Sequence, residues 1–157
     1  MPWKAIIRGG LLFGVFAGLF GMAVELIAAL IGHEVSSSMT TAFVSATLGF
    51  LIIGGAGQRI GTESKNVGPA WRLGALAGAL GEVIRTVGAS TVLSIVPAGQ
   101  ELFARLTPAE QRQAQDPVFL ITTLAIQLVS ATLFGALLGW LGAWAALRFG
   151  PPKTPRT

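Results

Sequence analysis

Residues 71–96 read WRLGALAGALGEVIRTVGASTVLSIV, an apolar stretch of helix-spanning length interrupted near its middle by Glu82 and Arg85. The fold follows from how that interruption is tolerated. A charge at the centre of a bilayer costs about 2.5–3.5 kcal/mol on insertion scales, so such groups persist where they face protein or water and meet a partner. Gly74, Gly78, Gly81, Arg85 and Gly88 recur at spacings of four and three, which places Arg85 on one helix seam with glycines. Small residues on a seam let a second helix approach closely enough to supply the partner.

Outward from this stretch lie three more apolar segments, at about residues 5–31, 42–57 and 118–147. Only 11% of the 157 residues are charged, against about a quarter in soluble domains, so the chain is accounted for by its spans. The expected class is all-α: an integral membrane four-helix bundle of two tandem two-helix hairpins, forming one domain over residues 1–157.

The first segment follows Lys4 and Arg8, a pattern shared with signal peptides. It is too long for one, carries Glu25 and precedes further spans, so it is read as a membrane helix. Gly10, Gly14, Gly18, Gly21 and Glu25 line one face of it. A flexible gate would use such glycines, but close helix packing uses them far more commonly. A short polar connection runs from His33 to Thr41, and a longer one from Gln58 to Pro69 is expected to be a loop. Pro97 ends the third span. Thr107, Pro108 and Glu110 form a capping-box signature that predicts a short surface helix over residues 108–115. Gly150, Pro151 and Pro152 close the fourth span, and a loose tail is expected after them.

Basic residues set the orientation. Lys4, Arg8, Arg59, Lys65, Arg72, Arg148, Lys153 and Arg156 fall on one side of a four-span model, and Arg105 and Arg112 on the other. The positive-inside rule then predicts a multi-pass cell-membrane protein with both termini cytoplasmic. Trp3, Trp71, Trp140 and Trp144 fall toward the same side, where an aromatic belt belongs.

The two halves look related. A shift of sixty positions carries Gly14, Gly18 and Gly21 onto Gly74, Gly78 and Gly81, and Glu25 onto Arg85. Ser45-Ala46-Thr47-Leu48 matches Ser130-Ala131-Thr132-Leu133, with Gly54 on Gly139. Parallel two-span repeats about an axis along the membrane normal would bring Glu25 and Arg85 to similar depth. Glu82, one turn from Arg85, would complete a cluster of formal charge −1 unless one carboxyl holds a proton. Two roles are open to it: a clasp that fixes helix pairing, or a path for a proton or small ion. Gln127, Ser130 and Thr132, with Ser45 and Thr47, either extend a polar interior or bond back to their own helices.

Other chemistries lack their residues. No cysteine is present, which excludes disulfides and thiolate metal sites, and His33 beside Glu34 has no second histidine to complete a metal site. Gly54-Gly55-Ala56-Gly57 ends an apolar helix rather than following a strand, which argues against a phosphate loop. No catalytic, cofactor-binding or metal residues are assigned, and enzymatic function is not expected. Nor is a nucleic-acid partner, because the basic residues are spread over helix ends. With Gly135, Gly139 and Gly142 on the last span, more faces are small than one bundle needs, which predicts other membrane helices as partners within the lipid bilayer. The expected function is a packing or accessory component of a membrane oligomer or complex, the alternative a small ion or proton channel or carrier.

Overall fold

A computed structural model describes residues 3–30 and 39–150. His33, Glu34, the serines at 36–38 and the tail beyond Gly150 lie outside the described residues, as does the side chain of Ser45. The described chain is all-helical: α1 (Trp3–Leu30), α2 (Met39–Ser64), α3 (Gly68–Ile95), α4 (Pro97–Arg105), α5 (Pro108–Gln115) and α6 (Pro117–Phe149). Among the described residues three stretches, Trp3–Ala28, Gly68–Ile95 and Pro117–Phe149, are long and apolar enough to cross a membrane; the segment expected at 42–57 lies within α2, which is not one of them.

Proline punctuates the second half. It stands in the first turn of α3, α4, α5 and α6, where a missing N–H costs nothing and the fixed φ suits a helix. The capping box at α5 forms as the residues imply: the Thr107 hydroxyl accepts from the Glu110 N–H, and Glu110 accepts from the Thr107 N–H at 2.7 Å. Asp116 caps α6 by accepting from the Val118 N–H at 2.9 Å.

Two boundaries differ from the sequence reading. The polar stretch beginning at Gln58 is not a loop but the last turns of α2. Its polar groups are satisfied along the helix: Arg59 pairs with Glu63, and the Thr62 and Ser64 hydroxyls donate to the carbonyls of Gln58 and Ile60. Ile60 and Gly61 are buried, so an apolar face runs on beneath that polar one. Only residues 65–67 are left to turn into α3, with Lys65 at φ 52°, the left-handed conformation that ends helices. The second difference is α4, a helix where only α5 was expected. Its Gly99 packs on the Leu93 carbonyl at the end of α3, an approach that leaves no room for a Cβ.

Glycine contacts fix the relative directions of the long helices. Gly14 lies against Ala77, Gly18 against Gly81 and Gly21 against Arg85, a separation of 63 or 64 residues throughout, so α1 and α3 run parallel. Gly57 on Gly139 and Gly61 on Ala143 keep a separation of 82, so α2 and α6 are also parallel. Between α3 and α6 the order reverses. Gly74 meets Gly135 and Gly139 while Gly78 meets Ala131 and Gly135, an antiparallel pair with backbones in contact. A core of Ile6, Ala56, Ile60, Ala70, Leu73 and Ala143, with Phe13 and Val67 against it, gathers where α1 and α3 begin and α2 and α6 end. The outward surfaces stay apolar: Leu12, Phe16 and Phe20 on α1 and Ile121, Ile126, Leu133 and Phe134 on α6 are each at least half exposed. Contiguous apolar surface of this kind suits contact with lipid and is rare on soluble monomers.

Candidate functional site

Glu25, Glu82 and Arg85 meet. The Arg85 guanidinium donates from Nη1 to Glu25 Oε1, from Nη2 to Glu82 Oε1, and from Nε to Glu82 Oε2 at 3.1 Å. Glu82 is thus held by two donors of the planar fork, the geometry for which arginine rather than lysine is suited. All three side chains are mostly buried, with 26% of Arg85, 16% of Glu25 and 12% of Glu82 still accessible.

The helix register explains how the residues reach one another. Arg85 does not stand level with Glu25, as a sixty-residue repeat would have it; its stem lies beside Gly21, one turn earlier. A Cβ on Gly21 would sit 2.8 Å from Arg85 Cδ and 3.1 Å from its Cγ, so glycine there makes the notch that admits the arginine. Helical side chains lean toward their own N-terminus. Glu25 therefore reaches back along α1 to the guanidinium, closing the one-turn stagger.

The seam on α3 divides between two neighbours. Gly81 packs on Gly14, Ala17 and Gly18, and Gly88 on Met22, all on α1. Gly74 and Gly78 instead face α6. The spacing of fours and threes keeps all of them within one stripe, but that stripe faces the gap between α1 and α6 and serves each in turn. The remaining assigned glycines are likewise occupied: Gly10 against Leu76, and Gly142 against Gly54 and Gln58. An apparent surplus of small faces is therefore taken up within the chain, and the glycine count gives no ground of its own for further helices. Gly49 and Gly55, both on α2, have open space beside them.

Thr86 belongs to the cluster and was not singled out from the sequence. Its hydroxyl donates to Glu82 Oε1 at 3.0 Å. The available signal was its place four residues after Glu82, which puts both on one helix face. The polar residues of α6 assemble less. Thr132 donates back to the Leu128 carbonyl at 2.7 Å, Gln127 is half-buried and Ser130 exposed. Gly54 to Gly57 lie inside α2 rather than at its end, where Gly54 and Gly57 pack on α6.

Chemically, the arrangement is an arginine with two carboxylates and one hydroxyl. It can fix the register of α1 on α3, and its uncompensated formal charge of −1 can hold a proton or attract a cation. No protein-family model, curated protein or solved structure matches the chain.

Proposed function

We propose that this chain is a multi-pass membrane protein whose four long helices form a bundle of two tandem hairpins, with both termini cytoplasmic, and that it acts as a non-catalytic packing component of a larger membrane assembly. The observation that carries the reading is the closure of the charged cluster on itself. Arg85 engages both carboxylates, and among the described residues no buried side-chain nitrogen or oxygen lacks a hydrogen-bond partner. Groups committed to one another across a helix interface act as a clasp. The shared direction of α1 with α3 and of α2 with α6 supports the hairpin arrangement and a duplication origin. The open stretch of α2 around Gly49 and Gly55 is the surface most readily joined by a neighbouring helix.

A second reading has its own support. Glu82, Thr86, Ser90 and Ser94 follow one another at four-residue steps along α3 toward α4, the two serines on its exposed side. Such a line suits a carrier of protons or small cations. The two readings separate on one experiment. Gentle detergent extraction followed by native mass measurement should find the chain in a complex larger than its monomer, while purified protein in liposomes carries no proton or alkali-cation flux above empty vesicles. A monomer that conducts, with conduction lost in Glu82→Gln, would replace the first reading with the second.

A further inference from the structure

The end at which α1 and α3 begin carries positive charge that, among the described residues, no carboxylate of either helix meets. The first acidic residue in the chain is Glu25, and none lies between Asn66 and Gly81. Lys4, Arg8 and Arg72 therefore share one end of two parallel helices, and all three are exposed. Among the described residues Arg72 pairs with no carboxylate. Its guanidinium is nevertheless held in place, 5.4 Å from the ring centroid of Trp71 and 5.9 Å from that of Trp3. Cation–π attraction to two rings positions a guanidinium and leaves N–H groups free to donate.

We propose that this Arg72–Trp3–Trp71 platform, with Lys4 at the same helix end, binds the phosphate of an anionic phospholipid headgroup. Three features select lipid. The two indoles are 59% and 45% exposed and stand at the foot of the apolar surface made by Ile7, Leu11 and Leu12, so a phosphate here has acyl chains directly above it. Tryptophan is suited to that depth, with an apolar body and one polar edge. The local excess of positive charge favours a net-negative headgroup over a zwitterionic one. Arg59, by contrast, is paired with Glu63 at 3.1 Å, so its charge is already met.

The test uses the full chain in nanodiscs of phosphatidylcholine with graded phosphatidylglycerol, reading retained lipid by native mass spectrometry and thermal stability in parallel. Wild type should retain phosphatidylglycerol in preference to phosphatidylcholine. Arg72→Gln should reduce that preference roughly fivefold, about the effect of one basic residue at an anionic surface, while Arg59→Gln leaves it unchanged. Arg72→Lys keeps the charge but loses the planar, five-donor guanidinium, and should fall between the two. If Arg72→Gln does not fold, the Lys variant and Trp3→Leu carry the same comparison. Equal losses in the Arg72 and Arg59 variants, or equal stabilisation of wild type by free inorganic phosphate, would overturn the site.

Discussion

Replacing Arg85 by methionine separates charge from packing at the cluster. The methionine Cβ, Cγ and Sδ occupy the path of the arginine stem beside Gly21, where Arg85 Cδ lies 2.8 Å from the position of an added Cβ. Little packing is lost, so the effect reports on Glu25 and Glu82 left without the guanidinium, Glu82 keeping only the Thr86 hydroxyl. Stranding buried charges costs about 3–5 kcal/mol, and the residual accessibility of the side chains favours the lower end. That is a change of roughly a hundredfold or more in the unfolding equilibrium. Unfolding in mixed micelles with increasing SDS, followed by circular dichroism, measures it. The triple variant Glu25→Gln, Glu82→Gln, Arg85→Met removes all three charges and should return to within about 1 kcal/mol of wild type, since a neutral replacement of a buried ion pair is commonly tolerated. A single variant within about 0.5 kcal/mol of wild type would show that the pairing does not hold α1 to α3.

Other consequences are equally direct. Gly78→Ala should destabilise by about 1–3 kcal/mol, because its Cβ collides with the Ala131 carbonyl, whereas Gly55→Ala meets open space and should be neutral or stabilising in the same unfolding assay. The chain has no cysteine, so single-cysteine spin labels report depth without background. Phe103 is an exposed apolar side chain of α4 and should lie against lipid, so a label there should be relaxed by oxygen and one at Gln113 on the glutamine-rich α5 by a water-soluble nickel chelate; the reverse pattern would refute that placement. The Thr107 hydroxyl and N–H hold the Glu110 carboxyl below its ordinary range. The capping contribution is therefore complete above the usual glutamate range and disappears as pH falls through the lowered value. Carboxyl NMR titration should place Glu110 below the ordinary glutamate range, and Thr107→Val should raise it.

The sequence alone settled those features that are local in chemistry. The helical class, the apolar stretches of α1, α3 and α6 and the N-terminus of α5 come from hydropathy, proline placement and a three-residue capping pattern. Each depends on neighbours within one or two turns. The span expected at 42–57, by contrast, is not among the described stretches long and apolar enough to cross a membrane. Glu82, Arg85 and Glu25 drew attention because an apolar surrounding makes any charge conspicuous. Tertiary structure decided what periodicity leaves open. One glycine stripe on α3 could serve one neighbour or two, and only the packing sends Gly74 and Gly78 to α6 and Gly81 and Gly88 to α1. The polar end of α2 stays helical because Ile60 and Gly61 are buried against the rest of the chain. The stagger of α1 on α3 sets Arg85 beside Gly21, and the same parallel packing brings Arg72 to Trp3. Spacing along a helix fixes which residues share a face, but the element that the face meets is chosen by segments distant in the chain.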